Sequence, residues 1–235
     1  MGTVIAAGAL FVAAPSLAAG RVQRAPNQRI HHGVSANWSG YVISGSGAYT
    51  TVSASWTQPA VNCGATPSAF SAFWVGLDGS GSNTVEQTGT EANCAGGSPT
   101  YAAWYEMFPK RSFGYPNPVV PGDSLTASVT AGARGRFQLT LTDATQGWSQ
   151  TVTKKRRSAR RVSAEVIAEA PASRKTVLPL ADFGTIEFSG ASVDGSTLTS
   201  STPGIERVTM SSGGTVKASP SSVSGGAFSI AWKHE

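Results

Sequence analysis

The chain has 235 residues, a formal net charge of +5 and only 13% charged residues. That length suits one all-β domain and is enough to bury a sizeable core. Glycine is abundant at 27 residues, Ser and Thr are frequent, and Ala-Leu-Glu-Lys blocks are scarce, which argues for strands and turns and against a helical protein. The positive surplus is local, since Lys154-Lys155-Arg156-Arg157 and Arg160-Arg161 hold six of the 18 basic residues. A charge confined to one patch implies no general nucleic-acid affinity. The patch reads as a solvated loop, with a docking site for polyanions as the alternative.

In chain order, residues 4–19 are apolar, small and uncharged. Small residues at Ser16 and Ala18 suit cleavage after Ala18, so residues 1–18 are expected to be an export signal and the mature protein to be extracellular. The run lacks Lys or Arg before it, is short for a membrane span, and no second apolar run exists, so no membrane association is expected after signal removal. Residues 19–34 are expected to be a flexible tail or short pro-segment, and residues 35–235 the folded domain.

Residues 37–42 and 50–58 read as strands. In the second, Val52, Ala54 and Trp56 face one way and Thr51, Ser53, Ser55 and Thr57 the other. Residues 71–91 read as a hairpin around the Asp78-Gly79 turn. Within it, Gln87 shares a face with Val85 and Gly89, opposite Glu86. Cys63 and Cys94 bracket this hairpin, and two cysteines in an exported chain are expected to pair as a disulfide. In residues 100–109, Tyr101, Ala103, Tyr105 and Met107 share one face and Ala102, Trp104, Glu106 and Phe108 the other. Residues 125–130, 136–142, 150–153, 182–189, 206–210 and 227–232 continue the series of short strands. Residues 163–170 fit helix or strand, and their strand neighbours favour strand. The expected architecture is a β-sandwich of two packed antiparallel sheets.

The three histidines, His31, His32 and His234, all lie near the termini. This argues against a Ser-His-Asp triad, a Cys-His pair and a histidine-ligated zinc site. No Gly-rich phosphate loop precedes a helix. Carboxylates, amides and hydroxyls must carry any chemistry, with no metal and no cofactor. Glu86, Glu106, Glu165, Glu169 and Glu187 fall inside strand runs. In extended chain, Glu165, Ile167 and Glu169 point the same way. Trp74, Trp104 and Tyr105 lie in the same segments, and aromatics beside carboxyls on an open sheet face fit a groove for an extended polymer, peptide or glycan.

Trp74-Val75-Gly76-Leu77-Asp78-Gly79, then Glu86-Gln87-Thr88-Gly89, then Tyr101-Ala102-Ala103-Trp104-Tyr105-Glu106, then Ala164-Glu165-Val166-Ile167-Ala168-Glu169 resemble, in order and spacing, the glutamic peptidases, the eqolisin family. Asn37-Trp38-Ser39-Gly40 and Ala181-Asp182-Phe183-Gly184 fit its flanks. The resemblance implies a sandwich of two bent sheets with a substrate groove on the concave face. It implies a catalytic dyad of Gln87 and Glu169, with Trp74, Asp78, Glu91 and Glu106 lining or bracing the site and Trp104 beside them. It further implies a secreted, monomeric endopeptidase acting on polypeptides at acidic pH. Two positions depart from the family pattern. Glu91 stands where fungal members carry Asp, and Ala102 where they carry an Asp before the Trp. Two other readings are open: a lectin-like binding module stacking sugars on Trp74 and Trp104, and a glycosidase using Glu106 and Glu169.

Overall fold

The computed structural model describes residues 30–173 and 176–235. The expected signal, residues 1–18, and residues 19–29 of the expected tail lie outside the described residues. One antiparallel sheet runs, in spatial order, β16 (Ile205–Ser212), β2 (Trp38–Ser44), β11 (Ser163–Glu169), β4 (Ser68–Leu77), β5 (Val85–Ala95), β6 (Ser98–Phe108) and β7 (Phe113–Gly114). The other runs β10 (Trp148–Lys155), β9 (Arg136–Asp143), β8 (Ser124–Gly132), β3 (Thr51–Thr57), β14 (Thr185–Val193), β18 (Phe228–Trp232), β17 (Thr215–Pro220) and back to β16. Short strands complete the fold. β1 (Val34–Ser35) lies parallel to β16, β15 (Ser196–Thr197) pairs with β14, and β12 (Ala172–Ser173) pairs with β13 (Thr176–Val177).

The two sheets form a sandwich joined through β16. Its first half, Ile205–Val208, pairs with β2, and its end, Met210–Ser212, pairs with β17. A register shift between Met210 and Ser211 marks the crossing, as expected where a strand bends from one layer to the next.

The alternation in the sequence explains the second sheet. In β9, Phe137, Leu139 and Leu141 are buried while Arg136 and Gln138 are exposed. The first sheet differs, because both of its faces are covered. Every residue of β11 is buried. Its inward face, Ala164, Val166 and Ala168, joins Phe73, Val75, Leu77, Leu139 and Phe188 in the core between the sheets. Its outer face joins a second cluster made of Trp38, Val42, Ala72, Trp74, Val85, Trp104, Ile167 and Val208. Two-sided burial raises the apolar content of a strand, so the acids on that outer face stand out.

The segment before the domain is tied down. Gly33 N donates to Glu206 Oε1 at 2.7 Å, Thr209 N donates to Gly33 O at 2.7 Å, and Ile30 packs on the outer cluster. Cys63 and Cys94 form a disulfide with Cα atoms 5.3 Å apart. Cys94 lies in strand β5, not in a loop as its Asn and Gly neighbours imply.

Candidate active site

Registration across the first sheet sets the outer face in rows. One row is Trp38, Glu169, Ala72, Glu91 and Ala102, running from β2 to β6. The next is Gly40, Ile167, Trp74, Gly89 and Trp104, and the third is Val42, Glu165, Gly76, Gln87 and Glu106. The hairpin expected over residues 71–91 supplies the middle of all three, with Leu77 opposite Glu86 at its closed end.

The Glu169 carboxylate is fully buried and held by two donors. Trp74 Nε1 donates to Oε2 at 2.8 Å, and Asn37 Nδ2 donates to Oε1 at 3.4 Å. Trp74 is itself held edge-on against Trp38, with ring centroids 5.1 Å apart. Glycines make room for the indole. A Cβ on Gly76 would lie 2.9 Å from Trp74 Cζ3, and one on Gly89 would overlap the Phe73 carbonyl oxygen.

Gln87, two strands from Glu169, is also fully buried. Its Nε2 donates to Glu106 Oε2 at 2.8 Å, which fixes the amide with its nitrogen toward β6 and leaves a second N–H to give. Behind it, on the inward face of β5, Thr88 Oγ1 donates to Trp104 O at 2.8 Å, and Thr90 Oγ1 donates to Gln58 Oε1 at 2.6 Å. These bonds lock β5 against β6 and the second sheet. Glu86 points inward, away from Gln87, with Arg156 Nε 4.0 Å from its Oε1. Burial first, then the nearby Asp78 carboxylate, push the Glu86 carboxyl up to about 9.

Asp78 braces the site and does not reach into it. It sits at φ 77, a conformation Asp tolerates better than most residues. Its Oδ1 accepts from Val162 N at 3.0 Å and its Oδ2 from Thr84 Oγ1 at 3.3 Å, which ties the β4–β5 turn to the start of β11. Glu165 works on the same turn, its Oε1 accepting from Ser80 N at 3.0 Å. A Cβ on Gly79 would lie 2.6 Å from Trp38 and 3.0 Å from Glu165, so only glycine lets that turn close over them. Burial pushes the Glu165 carboxyl up to about 8. Glu91 shares the row of Glu169, and Ala102 stands directly beside it. An acid at 102 would face Glu91 as a like charge, so the departure at 102 removes that repulsion.

Of the residues singled out from the sequence, Trp74, Glu91, Trp104, Glu106, Gln87 and Glu169 share one face of the sheet across the three rows, and Asp78 anchors its edge. Asn37, Trp38 and the bracing role of Glu165 do not follow from strand patterning alone. The available signal for the first two was the Asn37-Trp38-Ser39-Gly40 stretch, which fits the flank of the glutamic peptidase motifs.

A peptidase A4 family model matches residues 36–232, a stretch that contains every row. The chain belongs to the peptidase A4 family. This agrees with the glutamic peptidase motifs in the sequence. The chain is 29% identical over 180 residues to aspergillopepsin-2 of Aspergillus niger, covering 67% of this chain and 64% of that protein. It is 37% identical over 116 residues to scytalidopepsin B of Scytalidium lignicola, covering 48% of this chain and 42% of that protein. The matched stretch is thus less than two thirds of either relative's length. The solved structure of scytalido-glutamic peptidase with a peptide-based transition state analog superposes with a TM-score of 0.73 at 29% identity, covering 84% of this chain and 98% of that one. This peptidase A4 chain has the sandwich of that structure.

Proposed function

We propose that the protein is a secreted endopeptidase in which Glu169 and Gln87 act as the catalytic dyad. The observation that carries this reading is the Glu169 carboxylate, gripped by Trp74 Nε1 and Asn37 Nδ2 on the same sheet face as the Gln87 amide. The related scytalido-glutamic peptidase, whose structure contains a peptide-based transition state analog, supports a polypeptide as the substrate.

Glu169 takes a proton from a water molecule as the water oxygen attacks the scissile carbonyl carbon. Negative charge develops on the carbonyl oxygen, and Gln87 Nε2–H donates to it. A neutral amide donor of this type contributes roughly 3–4 kcal/mol of transition-state stabilisation. The tetrahedral species then collapses. Glu169 returns its proton to the amide nitrogen, the C–N bond breaks, and an acid and an amine leave. A carboxylate base with no histidine partner favours acidic working pH.

Both dyad residues are buried, so a substrate needs the outer face opened. Ile30, from the segment ahead of the domain, packs on the tryptophan cluster. Trimming of the N-terminal segment after export is the expected route. The reading is tested by digesting an unfolded protein substrate from acid to neutral pH with the wild-type protein and with Gln87→Ala. Cleavage in acid that falls about 100- to 1000-fold in the variant is expected. An equally active Gln87→Ala protein with a native circular dichroism spectrum would remove Gln87 from the mechanism.

A further inference from the structure

The basic patch is not only a solvated loop. Lys154 and Lys155 belong to strand β10, paired with Phe137 and Arg136. The residues that follow close, with the short 3-10 turn Ala133–Gly135, around a cavity of about 410 Å³. Four of its lining residues are arginines, Arg134, Arg156, Arg157 and Arg161, and no lining residue is acidic. The cavity shares no residue with the three rows of the candidate active site.

Two observations show that this clustering is imposed against resistance, and a third shows what holds it. Arg134 and Arg161 both hold positive φ, 59 and 56, where residues other than glycine are uncommon. Arg136 stands directly opposite Lys155 at the mouth of the β9–β10 ladder, a like-charge pair that repels. Arg156 is pinned in place, its Nη2 donating to Met107 O at 2.7 Å and to Phe108 O at 3.0 Å. The acids nearby are engaged elsewhere. Glu86 reaches Arg156 Nε only at 4.0 Å from the interior side, and Asp194, near Arg161, accepts from Thr50 N and Thr51 N. Among the described residues no ion pair engages Arg134 or Arg157.

We propose that this cavity is a binding site for a phosphate-class polyanion. Guanidinium forks match tetrahedral oxyanions in paired hydrogen bonds, which lysines do not. Arg156 is already held by two backbone carbonyls, and the other three arginines concentrate positive charge around one concavity that a multiply charged anion would neutralise. The cavity lies in the size range of small-molecule sites, which favours an oligophosphate, free or at the end of a longer chain.

The test is calorimetric titration of the full-length protein with sodium tripolyphosphate at constant ionic strength. Orthophosphate and a long-chain polyphosphate form parallel arms. Saturable binding at one site per chain is expected for tripolyphosphate. Comparable orthophosphate binding identifies the free ion as sufficient, and tighter binding of the long chain identifies a polymer end; either supports the site. Arg134→Asn with Arg157→Gln, two exposed positions, is expected to weaken binding at least about tenfold, the loss from one charge-assisted hydrogen bond. The same double variant is expected to retain wild-type cleavage of an uncharged peptide. Lys155→Gln with Arg160→Gln removes the same charge outside the cavity and is expected to change affinity by less than about twofold. Absence of saturable binding, or equal weakening by both double variants, would overturn the proposal in favour of diffuse surface charge.

Discussion

The Trp74 indole donates to Glu169 Oε2 at 2.8 Å while its ring makes a T-shaped contact with Trp38, so one side chain both fills the outer cluster and aims the carboxylate. Trp74→Phe separates these roles, because it keeps an aromatic ring and removes only the N–H. Loss of a hydrogen bond to a charged group corresponds to about a 10- to 100-fold fall in kcat/KM, with the fold intact by circular dichroism. Unchanged kcat/KM would mean that the indole only packs. The residue scale is also where the sequence is least explicit. Strand alternation puts Glu165 and Glu169 on one face equally well. Only the motif resemblance separates them, and the structure then shows why they differ. Glu169 meets Trp74 and Asn37, whereas Glu165 meets the backbone of Ser80.

At the scale of elements, the β4–β5 hairpin is fastened at both ends. Its turn is held by Asp78 and Glu165, and its far end by the Cys63–Cys94 bridge across 31 residues. Replacing both cysteines by serine is expected to destabilise the fold by about 3–4 kcal/mol, read as a lower midpoint in urea. A midpoint equal to that of the wild type would mean that the bridge constrains nothing. The hairpin was legible because the Asp-Gly turn and the alternation of Val85, Gln87 and Gly89 follow from local chemistry. Strand ends were less so. β6 starts at Ser98, straight after the Gly96-Gly97 turn that pairs it with Ala95, and β10 runs to Lys155 opposite Arg136, so hairpin pairing overrides the poor strand propensity of proline, serine and lysine. β17, Thr215–Pro220, was not anticipated, because it is Ser-, Lys- and Pro-bearing and only two of its six residues are buried.

For the whole molecule, two buried carboxyls set the pH response. Glu165 is raised from 4.5 to about 8 and Glu86 from 4.5 to about 9. Between those limits the folded state keeps protons that the unfolded state has lost, so stability falls as pH rises. Each group contributes on the order of 1 kcal/mol per pH unit across that window. The Tm is therefore expected to be highest in acid and to drop steadily from about pH 5 to pH 8. Glu86→Gln with Glu165→Gln keeps both sites neutral and is expected to flatten the profile. A Tm that rises over this range would contradict the assignment. A sandwich stable in acid suits the carboxylate-based hydrolysis proposed above. The sandwich itself was legible from composition and alternation. The covering of both faces of one sheet was not, because strand patterning does not show that Ile30 and the Asp78-Gly79 turn pack on the outer one. The arginine cavity was equally hidden, since its walls come from two separate turns.

Digestion of a defined unstructured polypeptide at acidic pH, with sequencing of the products, compared between the wild-type protein and Glu169→Gln, tests the dyad most directly. The substitution keeps the shape and, through its one amide oxygen, the Trp74 contact, while it removes the base and the acceptor for Asn37 Nδ2. The expected result is internal cleavage by the wild type and a loss of about 100- to 10,000-fold in the variant, with unchanged Tm in acid. Product formation by Glu169→Gln at the wild-type rate, or no cleavage by either protein after N-terminal trimming, would contradict it.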